Sequence, residues 1–157
     1  AAWSLSAPAD ELLRWAVANL QGGSFAVAHL FPPASAAGLS GRQMPIRSVE
    51  LFFYELPGVE ALHYGFGWFN EQYRGQTLVH HGGTITGFRS LIGFLPAQNL
   101  AFVVLTNKDR TQATTALGYL LCDWAFGYTE AVPPLPEDDS AWGERVLAFA
   151  SVQKARV

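Results

Sequence analysis

The chain has 157 residues, half of them hydrophobic, and carries a formal net charge of −3 with only ten lysines and arginines. That length suffices for one compact domain with a real core, and the absence of a basic run argues against a nucleic-acid partner. The single cysteine, Cys122, excludes an internal disulfide and a cysteine-based metal site, and no apolar run approaches the ~20 residues that span a bilayer.

The first predicted element is a helix over residues 7–21. Ser6 is placed to cap it, and Gly22 and Gly23 follow its last turn and end it. Its apolar face repeats at helical spacing and consists of Leu12, Ala16 and Leu20. We expect this face to pack on the core.

Residues 22–62 are rich in proline, glycine, alanine and serine and show no sustained period. They predict irregular loop with a short helix over residues 33–41. Ser24 follows two glycines and superficially approaches a nucleophile elbow. Such an elbow needs a strand before its serine, whereas Ser24 follows a helix end, so it is not expected to be a nucleophile.

The middle of the chain predicts an antiparallel sheet. Its strands are expected at residues 64–69, 76–81, 88–95 and 100–106. A turn over residues 70–75 joins the first two strands, and the four residues 96–99 suit a hairpin between the last two. Because residues 101–105 are apolar at every position, we expect helices on both faces of the sheet.

A second long helix is predicted over residues 111–126, with Asp109 or Thr111 as its cap and Gly127 at its end. Its apolar spacing predicts that the inward face consists of Ala113, Leu117, Leu120, Leu121 and Trp124. Cys122 lies in this apolar stretch and is expected to be a small buried hydrophobe. Residues 131–139 indicate a stiff acidic linker, and residues 140–154 a further helix.

Polar chemistry and backbone permissiveness coincide at His81-Gly82-Gly83-Thr84. The two glycines lack the Cβ atoms that would hold a ligand away from the backbone, and a strand continued through Thr84 could turn its N–H outward toward an oxyanion. The alternative interpretation is that the glycines form a bulge or turn and that His80 and His81 are ordinary surface residues. A His80–His81 metal pair is disfavoured, since adjacent strand residues point to opposite faces and no further ligand cluster exists.

Four blocks of sequence agree in order and spacing with a known family: Tyr64–Trp68, His81–Thr84 with Gly87-Phe88, Phe94–Pro96, and Leu105–Lys108. Together they resemble the C-terminal part of the serine β-lactamase / penicillin-binding-protein family, nearest its class C, esterase and D-aminopeptidase branch. The resemblance covers residues 2–127. It implies an α+β fold in which an antiparallel β-sheet is flanked by N- and C-terminal helices, a partial β-lactamase / DD-peptidase-like fold. Residues 1–130 would be the C-terminal part of the transpeptidase-like domain, and residues 131–157 a linker and terminal helix.

The resemblance also implies roles for the glycine strand. His81 would take the basic first position of the family motif and contact a tyrosine or a substrate carboxylate, and Thr84 N–H would form part of the oxyanion hole. Gly82 and Gly83 would bind the substrate, a small molecule or a peptide-like compound. The reaction would be hydrolysis of an amide, ester or lactam through an acyl-serine intermediate, with no cofactor and no metal.

This sequence departs from the family pattern at the nucleophile. It contains no Y-x-N or Y-x-S, and its one S-x-x-K runs from Ser151 to Lys154 near the C-terminus. We therefore expect the nucleophile upstream of Ala1, on an N-terminal half of the same domain, and expect the isolated chain to be inactive. The compartment would be periplasmic or extracellular if a signal peptide lies upstream, and cytoplasmic otherwise. The alternative hypothesis is a non-catalytic binding or assembly module on the same half-fold.

Overall fold

The computed structural model describes residues 5–46, 59–108 and 111–128, and its central feature is a six-stranded antiparallel sheet. The elements in chain order are α1 (Ala9–Leu20), β1 (Ser24–Phe25), β2 (Ala28–His29), α2 (Pro33–Leu39), β3 (Met44–Pro45), β4 (Val59–Tyr64), β5 (Phe69–Tyr73), β6 (Gln76–Ile85), β7 (Phe88–Leu95), β8 (Leu100–Thr106) and α3 (Ala113–Ala125). Strands β1 and β2 form a small separate sheet, whereas β3 to β8 pair in sequential order. The linker and helix predicted over residues 131–157 lie outside the described residues.

Short hairpins set the order of the last four strands. Arg74 and Gly75 connect β5 to β6, and their positive φ angles of 51° and 71° suit a tight turn between twisted strands. Thr86 and Gly87 connect β6 to β7, with Gly87 at φ 83°. Residues 96–99 connect β7 to β8, which confirms the predicted four-residue hairpin. Because all three connections are local, each strand lies antiparallel beside the next.

The two faces of the sheet are covered by different helices. One core cluster joins alternate strand residues, such as Leu91 and Phe102, to Tyr119 and Cys122 of α3. The other joins strand residues of the opposite phase, Val79 and Phe94 among them, to Leu20 of α1. Since strand side chains alternate between faces, α1 and α3 cover opposite sides. This confirms the prediction of helices on both faces and the α+β arrangement.

The predicted strand over residues 64–69 is wrong. Strand β4 ends at Tyr64, and the chain bends before β5 begins at Phe69, so most of the predicted turn over residues 70–75 is strand. The bend depends on glycine: a Cβ on Gly65 would lie 2.7 Å from the carbonyl oxygen of Leu39. The bend places Trp68 in the core against Phe94, with ring centroids 5.2 Å apart.

All three helices lie within the ranges predicted for them, but the predicted cap of α1 and part of the predicted buried face of α3 are wrong. Helix α1 lies within the predicted range, but its N-cap is Pro8 without a side-chain hydrogen bond, so the expectation that Ser6 caps it is wrong. The predicted inward face of α3 is wrong at Trp124, which is 62% exposed, whereas Leu121 of that face packs against the core. The residues of α3 that are buried are Thr114, Gly118, Tyr119, Cys122 and Asp123. Two of them, Tyr119 and Asp123, are polar and satisfied by strand partners, which an apolar period cannot anticipate.

Candidate active site

The candidate site begins where β6 extends beyond the end of its neighbour β5. Pairing between these strands ends with Phe69 opposite His80. Pairing between β6 and β7 continues five residues further, to Ile85 opposite Phe88. Within the described part of the chain, residues 81–85 of β6 therefore have a strand neighbour on one side only.

The register also fixes which backbone groups face that open edge. In antiparallel sheets the N–H and C=O groups of successive residues point to opposite neighbours, and a two-residue hairpin closes with a hydrogen-bonded pair. The hairpins at both ends of β6 give the same phase, in which even-numbered residues direct their backbone groups toward the β5 side. Gly82 and Thr84 therefore direct their N–H groups to the open edge. The catalytic role of the Thr84 N–H stays a prediction.

His81 is half-buried beside two aromatic residues at the junction of β4 and β5. Its Nε2 atom lies 3.2 Å from the Tyr64 hydroxyl, and its ring stacks on Phe69 with centroids 5.5 Å apart. Burial lowers the pKa of His81 and the charge of His80 adds to this, while a hydrogen bond to the Gly82 backbone opposes it. The site thus holds an imidazole biased toward its neutral form and in contact with a phenol.

Tyr64 is a site residue that the sequence interpretation missed. It belongs to one of the four matched blocks, but the tyrosine expected beside His81 was one in a Y-x-N motif. The signal that could have found it is the aromatic cluster at the β4–β5 junction, where the Tyr64 and Phe69 rings are 4.7 Å apart. Pairing of β4 with β5 brings Tyr64 opposite Phe69, which in turn lies opposite His80.

The two glycines differ in what surrounds them. A Cβ on Gly83 would lie 2.5 Å from Ser90 Oγ on β7, whereas a Cβ on Gly82 would meet nothing nearer than Ser90 O at 3.7 Å. The β6–β7 register runs through both without a shift, so the alternative of a bulge or turn at this point is wrong. A side chain at position 83 would thus displace the Ser90 hydroxyl, whereas one at position 82 would make only an ordinary contact.

A cavity of about 850 Å³ adjoins Gly83 and Thr84. It lies among the segment leading into α1 and the ends of β6, β7 and β8. Its apolar lining residues are Leu5, Ala7, Leu12, Ile85, Phe88 and Leu105. Arg89 is the charged residue of the lining, and its buried Nε has no hydrogen-bond partner among the described residues. The cavity can hold a small organic group against the β6 backbone.

On the other face of β6, His80 belongs to a buried polar cluster. His80 Nε2 lies 3.1 Å from Glu71 Oε2, and the Tyr119 hydroxyl donates to the same carboxylate, 2.7 and 2.8 Å from its two oxygens. His80 is 4% exposed, so the interpretation of both histidines as surface residues is wrong.

Several sequence expectations concern chemistry away from the strand. The described residues contain no group of three or more His, Cys, Asp and Glu side chains that could hold a metal ion. In the same part of the chain, no helix is long and apolar enough to cross a membrane. Cys122 is buried as predicted, and burial raises the pKa of its thiol. Ser24 Oγ hydrogen-bonds His29 Nδ1 at 2.9 Å in the small β1–β2 sheet.

The expectation that the nucleophile lies upstream of Ala1 stays a prediction. Among the described residues, no serine stands three positions before a lysine. Ser151 and Lys154 lie outside the described residues.

Comparison with known proteins bears on this geometry. A family model described as Beta-lactamase matches residues 1–121. The match includes the whole six-stranded sheet, the strand His81–Thr84 and most of α3. No curated protein and no solved structure gives a significant match.

Proposed function

Because the chain belongs to the β-lactamase family, a family of serine hydrolases, we propose that the open edge of β6 forms one wall of a serine hydrolase site. The site cleaves an amide, ester or lactam in a small-molecule or peptide-like substrate through an acyl-serine intermediate. The observation that carries this proposal is the register of β6, which runs past β5 and turns the Thr84 N–H to the open side.

In this mechanism, Thr84 stabilises charge that develops during the reaction. The serine oxygen attacks the carbonyl carbon, and the π electrons move onto the carbonyl oxygen. The Thr84 N–H donates a hydrogen bond to that oxygen. Collapse of the tetrahedral intermediate expels the amine or alcohol, which leaves with the proton taken from the serine, and water then hydrolyses the acyl-enzyme.

The remaining residues position the substrate and move protons. The acyl chain lies along Gly82 and Gly83, and the adjoining cavity accepts its side group. His81 and Tyr64 form a hydrogen-bonded pair that relays a proton to or from the leaving group. Because burial biases His81 toward its neutral form, its ring can accept a proton near neutral pH.

The nucleophile and its base come from outside residues 1–157, on an N-terminal half that completes the domain. Two proteins test this: the 157-residue chain, and the protein expressed from its complete reading frame. Each is treated with p-nitrophenyl butyrate and analysed by intact mass and peptide mapping. We expect a butyryl adduct on a serine outside residues 1–157 in the longer protein, and none on the short chain. A longer protein that gives no adduct with the ester, with penicillin or with an alkyl phosphonate would overturn the proposal.

The second candidate is a non-catalytic binding or assembly module on the same half-fold. It is favoured by the sequence, which contains no Y-x-N or Y-x-S and whose one S-x-x-K lies near the C-terminus. It predicts saturable binding of a peptide-like or acyl ligand by the longer protein without any covalent adduct, which the same mass measurement distinguishes from catalysis.

A further inference from the structure

Glu71, His80 and Tyr119 form a cluster that joins three elements of the fold. It lies beside the point where the pairing of β6 with β5 ends and the open edge begins. Glu71 lies on β5, His80 is the last β6 residue paired with β5, and Tyr119 lies on α3. All three are at most 5% exposed. None of them belongs to the His81–Thr84 motif, yet His80 directly precedes it.

The cluster requires a proton to be electrically neutral. A buried carboxylate without a cation is strongly disfavoured, and hydrogen bonds alone offset only part of that cost. The Tyr119 hydroxyl donates to Glu71 but carries no charge, so the compensating charge falls to His80, whose Nε2 lies 3.1 Å from Glu71 Oε2. The short Nε2–Oε2 contact is therefore where the neutralising proton lies, between the His80 ring and the Glu71 carboxylate.

A charge on His80 acts on His81 at short range. Adjacent strand residues direct their side chains to opposite faces, yet the Phe69 ring stacks against both imidazole rings, with centroid distances of 5.5 Å in each case. The charge of His80 is among the causes that lower the pKa of His81. Protonating both rings at once would place two cations side by side in a partly buried site.

We propose that His80, held as a cation by the buried Glu71 carboxylate, is a positioning residue that keeps the His81 ring neutral and directed at the Tyr64 hydroxyl. The proposal rests on the role given to His81 in the proposed function. It extends that role to a second histidine, His80, which acts on His81 from the face of the sheet away from the substrate.

The other groups around the two rings are consistent with this assignment. Next to His80, β7 contributes Gly93, which carries no titratable group and where a Cβ would lie 3.2 Å from His80 Cβ. From α3, Cys122 lies near Glu71, and burial followed by the Glu71 charge raises the pKa of its thiol, so the thiol stays neutral. On the His81 side, the titratable neighbour from β4 is Tyr64.

Histidine NMR on the 157-residue chain tests the proposal without any turnover. The Hε1–Cε1 signals of the four histidines are followed from pH 5 to 9, and the signal of His81 is assigned by its loss in His81→Gln. In Glu71→Gln and in His80→Gln the cation on position 80 is removed, and we expect the His81 midpoint to move to higher pH in both. Glu60→Gln, the same change at an exposed carboxylate on β4, is the matched control and should leave that midpoint unchanged.

Midpoints for His81 that coincide in wild type, Glu71→Gln and His80→Gln would overturn the proposal. If either variant fails to fold, the ring ¹⁵N shifts of His80 in the wild-type chain decide. Two protonated ring nitrogens at pH 7 support the proposal, and a neutral ring refutes it. Because no ester is used, this outcome is independent of whether an acyl-enzyme forms, and failure of one proposal can be told apart from failure of the other.

Discussion

Phe69 lies directly opposite His80, and beyond this pair β6 has no partner on the β5 side among the described residues. The backbone N–H of Thr84 therefore takes no part in pairing with β7. The hairpins at both ends of β6 fix the alternation of its backbone groups, and even-numbered residues direct theirs toward the β5 side. A donor of this kind can be removed without breaking the sheet.

Thr84→Pro removes that donor. We expect it to lower kcat for p-nitrophenyl butyrate in the protein from the complete reading frame by roughly 10²–10³-fold, the usual effect of losing one oxyanion donor. Folding should persist, since proline is tolerated on the open side of an edge strand. Steady-state kinetics with circular dichroism measures both.

Thr84→Ala is the control for this experiment, because it changes the side chain and keeps the N–H. Its kcat should stay within about threefold of wild type, a difference of less than ~1 kcal/mol in the barrier. Equal losses in the alanine and proline variants would mean that the side chain matters and that the N–H does not.

Gly83 is predicted to tolerate a methyl group poorly. Gly83→Ala forces the Ser90 hydroxyl to move, since the new Cβ would lie 2.5 Å from Ser90 Oγ, and should cost about 1–2 kcal/mol of unfolding free energy. Gly82→Ala makes only an ordinary contact with Ser90 O at 3.7 Å and should change stability by less than about 0.5 kcal/mol. Urea unfolding of both variants measures the difference.

The double variant Gly83→Ala with Ser90→Ala tests the cause. Removing the hydroxyl leaves Ser90 Cβ at 3.9 Å as the nearest side-chain atom, which is an ordinary contact. The double variant should therefore recover most of the loss. Additive losses in the double variant would place the strain elsewhere.

The parts of the fold that local sequence determines were predictable. The hairpins between β6, β7 and β8 depend on two- and four-residue connections, and their strands were placed within a few residues. The strand at residues 64–69 was misplaced because its bend depends on Gly65 approaching the backbone of Leu39, which lies 26 positions earlier in the chain. Contacts of that kind leave no periodic signal.

Buried polar pairs explain the error in the buried face of α3. The α3 face was predicted from apolar spacing, which counts Tyr119 and Asp123 as outward. Their burial is possible only because Glu71 and Arg74, on a distant hairpin, accept and donate the matching hydrogen bonds. The candidate site was likewise predictable only in its local part. The strand His81–Thr84 was foreseen from its motif, whereas the contacts of His81 with Tyr64 and of His80 with Glu71 required the register of three strands.

His81 should make the stability of the chain depend on pH. Its pKa in the folded state is lowered from 6.5, chiefly by burial, so the unfolded chain binds more protons in the interval just below pH 6.5. The contribution of His81 to stability is fully present above 6.5 and is lost as the pH falls through the folded-state value. His81→Gln should remove this component. Urea unfolding at pH 5.5 and 7.5 compares the two proteins, and a wild-type gain between these values no larger than that of His81→Gln would contradict the assignment.

The ion pair between Arg74 and Asp123 offers the largest predicted loss of stability. Asp123 is fully buried, Arg74 Nε donates to Asp123 Oδ1 at 2.6 Å, and the Tyr73 hydroxyl donates to Oδ2 at 3.1 Å. Asp123→Ala leaves a nearly buried guanidinium and a phenol without their acceptor, and should cost about 3–5 kcal/mol. Arg14→Ala breaks ion pairs whose side chains are all more than half exposed, and should cost less than about 0.5 kcal/mol. Chemical denaturation of the two variants side by side is the measurement. A loss below about 1 kcal/mol for Asp123→Ala would show that the polar network does not anchor α3 to the β5–β6 hairpin.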